Sequence, residues 1–197
     1  MSRGTAYLEM SMSLDGVVAG ANVGAEHPIG EGVGERLHDW MFSGKSDAEV
    51  ERFERDHFAN TGAVIMGRTT FDLGVGPWGE NPTFQAPCFV VTHAEHERIT
   101  KEGGTSYTFV TGGVERALEE ATAAAGDTDV VVMGGANIAQ QFIERRLLDE
   151  LRLHLVPVIA GRGTRLFEHV ETATIDLEPL EVIEAPDVTH LRYRLHA

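Results

Sequence analysis

Basic residues are scarce in this chain: 16 lysines and arginines stand against 31 aspartates and glutamates, a formal net charge of −15 at pH 7. Such a field repels nucleic acid and anionic membrane surfaces, so neither is expected as a partner, and an anionic ligand must be held by local groups. Cysteine is almost missing. Cys88 is alone, so no disulfide can form within the chain, and a reduced, cytoplasmic compartment is the expected location. No uninterrupted apolar stretch approaches the roughly 20 residues of a membrane span, and no basic patch leads into an apolar segment at the start. HExxH, GxSxG and framed Cys-His patterns are all missing, and His93 and His96 lack companions, so neither a metal site nor a covalent nucleophile is expected. Repeats, low-complexity tracts and linkers are also missing. The 197 residues, 42% of them hydrophobic, fit one domain over 1–197.

What is present alternates. Residues 5–13 read as an opening strand closed by a Leu-Asp-Gly turn, and 20–34 as a glycine-rich loop. Ser46 and Glu49 form a capping box that opens a helix with Val50, Phe53 and His57 on one face. Strands are expected at 63–66, 88–92, 107–111 and 130–133, and helices at 114–125 and 138–148. The loop 74–87 holds three prolines and Trp78. Beyond residue 150 the pattern changes to strict alternation. Leu151, Leu153 and Leu155 face away from Arg152, His154 and Val156, and in 188–196 the residues His190, Arg192, Arg194 and His196 form a basic face expected to be solvated at the sheet edge. Strands and helices taking turns, then antiparallel strands, make an α/β sheet that is mostly parallel in its middle.

Two strand-to-helix junctions carry the functional signal. At 129–142, DVVVMGGANIAQQF, a buried strand runs through Gly134 and Gly135 into a helix, and bare backbone there lets a phosphate approach the free N–H groups. At 63–73 an apolar run meets Gly67, then Arg68, Thr69 and Thr70: a guanidinium fork beside two hydroxyls. Glycine at such turns also serves tight packing alone. Two sites of this kind fit a ligand with phosphates at separated points.

The order of these pieces resembles the dihydrofolate reductase superfamily, and more closely its branch with the reductase domain of riboflavin biosynthesis, the RibD C-terminal domain. The likeness rests on SLDG at 13–16, VIMGRTTF at 64–71 and the long run from Val131 through GRGTRLF, ending at Phe167. It implies a central eight-stranded sheet, mostly parallel with an antiparallel C-terminal strand and helices on both faces, binding NADPH across its strand ends. By the same resemblance Gly67, Arg68 and Thr69 hold the adenosine side and pyrophosphate, and Thr92 with His93 faces the ribose 2′-phosphate. Gly134, Gly135, Ala136, Asn137 and Ile138 form the second phosphate turn, and Ser11 and Val18 lie near the nicotinamide. A homodimer is implied as well.

Hydride transfer asks little of side chains beyond holding cofactor and acceptor together, with a proton donor to finish the reaction. Asp15, His154 and an acid on the first helix, where Glu51 lies nearest the place the resemblance implies, are the candidate donors; Asp15 also suits a plain turn, and Glu51 and Glu54 suit a solvated helix face. Trp40 and Trp78 could stack a flat heterocycle, and Arg162 and Arg165 could grip a substrate phosphate. The expected activity is an NADPH-dependent reduction of a small flat pterin-like or pyrimidine-like metabolite. A dimeric nucleotide-binding module without reductase activity is the alternative.

Overall fold

The computed structural model describes residues 3–42, 59–171 and 174–196. The helix expected after Ser46, with Val50, Glu51, Phe53, Glu54 and His57, lies outside the described residues.

Strand β1 (Ala6–Ser13) leads through the Leu-Asp-Gly turn to β2 (Val17–Ala19) and to the short helices α1 (Val33–Arg36) and α2 (Asp39–Phe42). Then come β3 (Thr61–Gly67), α3 (Arg68–Gly74), β4 (Pro87–Val91), β5 (Ile99–Thr100), β6 (Ser106–Val110), α4 (Gly113–Ala125), β7 (Asp129–Val132) and α5 (Ala136–Glu144). β8 (Glu150–Val156), β9 (Thr164–Arg165), β10 (Leu177–Ala185) and β11 (Val188–Leu195) complete the chain. The central sheet runs β10-β11-β8-β1-β7-β3-β4-β6-β5, and β2 pairs with β9 beside it. From β8 to β6 every pair is parallel, while β11, β10 and β5 are antiparallel to their neighbours. Among the described residues the sheet has nine strands where eight are expected, counting the two-residue β5 at its rim.

β10 has no counterpart in the hydropathy reading. Its residues are half-buried or exposed on both faces, and the register slips between Pro179 and Glu181, so period-two alternation never develops. β11 is therefore one strand in from the edge.

Helices cover both faces. Val114, Ala117 and Ala121 of α4 and Ile138, Ala139 and Phe142 of α5 pack with Leu8, Ile65, Val132, Leu151 and Leu153 on one side. Phe71 of α3 packs with Val64, Met66, Val90 and Tyr107 on the other. Period-two strands dictate this division, because successive side chains must leave a sheet on opposite faces.

The basic face of the last strand is exposed at Arg194 and His196, but the solvated reading is corrected at its other end, where His190 is buried together with Arg152 and His154 of β8. The cause is pairing: Glu150 accepts from Arg152 at 2.9 Å and from Arg192 at 2.8 Å, and the Arg152 guanidinium lies 3.6 Å from the centroid of the Tyr7 ring. Burial pushes the Glu150 carboxyl up, but the two arginines outweigh it and hold it below the ordinary carboxylate range.

Candidate functional site

Among the described residues six parallel strands end on one side of the sheet, and the expected cofactor residues other than Val18 fall at or near that rim. β3 feeds α3 toward β4, whereas β7 feeds α5 toward β8, so the chain departs in opposite directions and onto opposite faces from two adjacent strands. This is the topological switch point of the sheet, where a crevice opens outside the strand ends. Its lips are the two glycine junctions. Gly67 donates its N–H to the Gly134 carbonyl at 2.8 Å, and the Gly134–Gly135 peptide is cis. A Cβ on Gly67 would stand 2.8 Å from Cγ1 of Ile138 and 3.8 Å from the Gly135 nitrogen, while one on Gly135 would stand 3.4 Å from Oγ1 of Thr70. Gly134 has φ +118°, a backbone region that other residues rarely adopt. Bare backbone at these positions leaves the crevice lined by peptide groups, which suits a pyrophosphate held across it.

Toward β6 the rim carries Arg68. Arg68 opens α3, its Nε donating to Asp72 at 2.7 Å and its Nη1 in hydrogen-bond contact with Nε2 of His96. Thr92 is buried at the end of β4, with its Oγ1 accepting from the Ala94 N–H at 3.3 Å, while Thr69, His93 and Asn137 are exposed.

Toward β8 the rim is tied down. The Asp15 carboxylate accepts from the backbone N–H groups of Ala160 at 2.8 Å and Gly161 at 2.9 Å and from the Ser13 hydroxyl at 2.8 Å. Those donors, Ala160 first, hold its carboxyl far below the ordinary aspartate range. Arg165 donates to the Asp15 carbonyl and approaches its carboxylate at 3.5 Å, and Gln140 of α5 donates to the Arg165 carbonyl at 2.9 Å. The SLDG turn, the GRGTRLF loop and the helix of the Gly-Gly turn are thus one connected body.

A buried polar chain lies on the face shared by β1, β8 and β11. Nε2 of His154 meets Oε1 of Glu9 at 2.9 Å, and Nδ1 of His154 meets Nδ1 of His190 at 2.8 Å. Trp40 leans on both imidazoles, with ring centroids 4.7 and 5.1 Å away, and donates its indole N–H to Oγ of Ser11 at 3.1 Å.

The sequence profile of the RibD C-terminal domain matches residues 5–191. The chain belongs to the RibD C-terminal domain family. Its relatives include YyaP of Bacillus subtilis, 25% identical over 174 residues that cover 83% of this chain and 80% of YyaP. A solved structure described as a riboflavin biosynthesis protein from Shewanella sp. PV-4 superposes with TM-score 0.72 at 19% identity, covering 98% of this chain and 99% of that one. Dihydrofolate reductase from Enterococcus faecalis, complexed with NADP(H) and RAB-propyl, superposes with TM-score 0.59 at 16% identity over 99% of this chain and 98% of its own. The shared fold is that of dihydrofolate reductase, with an α/β sheet that is mostly parallel.

Within this RibD-type domain the structure brings Gly67, Arg68, Gly134, Gly135, Ala136 and Ile138 together at the ends of β3 and β7. Val18 stands apart, its side chain buried among Leu8, Leu153 and other core residues. Trp78 packs on Phe84 in the 74–87 loop, ring centroids 5.3 Å apart. Arg165 is occupied by the Asp15 turn, whereas Arg162 is exposed. Sequence reasoning missed Glu9, His96 and His190 as site neighbours. Glu9 and His190 were detectable as polar residues alternating with core residues; His96 had no local signal, because its partner Arg68 lies 28 residues away.

Proposed function

We propose that this RibD-type domain is an NADPH-dependent reductase acting on a C=N or C=O group of a small flat heterocycle, of pterin or pyrimidine type. The observation that carries the reading is the β3/β7 switch point, where Gly67 is bonded to Gly134, a Cβ on Gly67 would meet Ile138 at 2.8 Å, and Gly134 has φ +118°. The residues present fit the cofactor: Gly67, Gly134, Gly135 and Ala136 would hold the pyrophosphate, Arg68 and Thr92 the adenosine end, and Ser11 the nicotinamide side. When bound, NADPH supplies the hydride.

The protein's share is placement and proton supply. Asp15 is assigned to the loop lock and not to proton donation, since its carboxylate is ionised and accepts three hydrogen bonds. His154 has both ring nitrogens engaged inside the fold, so it is assigned to holding Ser11 and Trp40 in place through the Glu9–His154–His190 chain. Solvent water is the assigned proton source. The engagement of Asp15 and His154, the two candidate donors among the described residues, also favours the second reading, a nucleotide-binding module without reductase activity.

The test follows NADPH absorbance with dihydrofolate, with riboflavin-pathway pyrimidines and with aldehyde and quinonoid acceptors. Reduction of a flat heterocycle is expected, with His154→Ala slowing it through KM more than kcat. Tight NADPH binding with no acceptor reduced above background would favour the binding module.

A further inference from the structure

Ser11, His154 and His190 stand side by side across β1, β8 and β11, because the register pairs Ser11 with His154 and His154 with His190. Trp40 of α2 lies over this row. Its ring centroid is 4.7 Å from that of His154 and 5.1 Å from that of His190, and its indole N–H is shared between Oγ of Ser11 and the Leu37 carbonyl, each at 3.1 Å. Leu37 is fully buried with Val156 and Val188, which pins this segment to β8 and β11. A tryptophan that only plugs a core edge is backed at least cost by apolar residues. This one is backed by two imidazoles, both buried and tied through His154 to Glu9 of β1 at 2.9 Å. Such a polar chain fixes one arrangement of the groups it joins. The indole itself stays half-buried, with part of its ring accessible. Tyr7, Glu9 and Ser11 alternate onto one face of β1, and Tyr7 shares a core cluster with Phe71 of α3, so Trp40 and α3 lie on the same face of the sheet. α3 stands over β3 and β4 and Trp40 over β1, β8 and β11, with the end of β7 and its Gly134–Gly135 turn between them.

We propose that Trp40 is a specificity-determining wall of the reductase site: the flat heterocycle stacks on its indole, and acceptors are sorted by the area of planar ring they present. The proposal rests on the flat-heterocycle reading of the site and names the residue that reads flatness. An indole offers a large aromatic face, and an offset-stacked ring gains from it beyond area burial alone. Removing an aromatic side chain on which a nucleobase-type ring stacks lowers affinity by about ten- to a hundredfold. The wall is already in place before a ligand arrives, because the N–H and the two imidazoles fix the indole, so little ordering is left to oppose binding. The N–H is committed to Ser11 and Leu37. Recognition at Trp40 is therefore through the ring face, which tolerates different donor and acceptor patterns on the heterocycle. Two fused rings, as in a pterin, gain more than a single pyrimidine ring, and an open-chain acceptor gains least.

Calorimetric titration of the full chain with pterin and with diaminouracil, each with and without saturating NADP⁺ so that binding is read without turnover, tests this. The native protein is expected to bind pterin more tightly than diaminouracil. Trp40→Leu should weaken pterin binding about tenfold or more, diaminouracil binding less, and NADP⁺ binding by under about twofold. Trp40→Phe, which keeps a smaller ring, should fall between the native protein and Trp40→Leu. Circular dichroism checks the fold of both variants, and where Trp40→Leu does not fold, Trp40→Phe carries the comparison. An equal loss for the two rings, a loss shared by NADP⁺, or a folded variant with native affinity for both rings makes Trp40 a structural plug, and the proposal falls alone. If the native protein binds neither ring, with or without NADP⁺, the flat-heterocycle reading falls and takes the proposal with it.

Discussion

Asp15 shows how one side chain can be committed by its donors. Its folded carboxyl is held below the unfolded value, so the stabilisation is complete above pH ~4 and is lost as pH falls through the folded value. Asp15→Asn should accordingly be less stable than the native protein at neutral pH, and the gap should narrow below pH ~4; urea unfolding at pH 7 and pH 3 measures both. A gap that stays constant would mean the charge of Asp15 contributes nothing to the lock. Gly67 is committed by space instead. Its backbone, φ −81° and ψ 159°, admits any residue, yet a Cβ there would stand 2.8 Å from Ile138. Gly67→Ala is expected to cost about 1–3 kcal/mol through overpacking and to weaken NADPH binding as the α5 junction shifts. Thermal unfolding with NADPH titration separates the two effects.

Strands β8 and β11 raise a different issue, because together they bury charge in the middle of a sheet. Glu150 serves Arg152 and Arg192 at once, and Arg152 in turn lies over Tyr7 on β1, so three strands share one ionic cluster. Removing the shared acid leaves a buried guanidinium without its main anion. Glu150→Gln should destabilise by about 3 kcal/mol, while a volume-matched apolar replacement of the whole cluster would cost far less. Chemical denaturation of the single variant checks the first figure; a loss under about 1 kcal/mol would mark the cluster as solvated. Helix α5 ties this half to the crevice, since Gln140 holds the Arg165 carbonyl while its first turn follows Gly135.

Charge governs the molecule as a whole. A net charge of −15 would oppose the approach of the proposed polyanionic cofactor, whereas Arg68 would attract it only at short range. Raising ionic strength from about 0.01 M to 0.15 M shortens the screening length from about 30 Å to 8 Å and weakens the long-range repulsion more than the local attraction. NADPH association measured by stopped-flow should therefore speed up over that range. A rate that falls with salt would show that the local attraction of Arg68 dominates the encounter.

Periodicity and turn chemistry were enough to read the parallel middle of the sheet, the helices α3, α4 and α5, and the two glycine junctions. Each of these depends on neighbours in sequence: alternation along a strand, an apolar stripe on a helix, a glycine where no side chain fits. The β10 strand escaped because its pattern is broken by Pro179 and a register slip, and the burial of His154, Arg152 and His190 escaped because polarity alone reads as exposure. Partners satisfy them there: Glu9 of β1 meets His154, His154 meets His190 across to β11, and Glu150, two residues back on the same strand, accepts from Arg152. The closeness of Gly67 to Gly134, the capture of Asp15 by Ala160 and Gly161, and the meeting of Arg68 with His96 likewise join residues far apart in the chain. Local sequence dictates which groups a segment can offer, but a hydrogen bond across the fold needs strand order and register to bring its partner within about 3 Å.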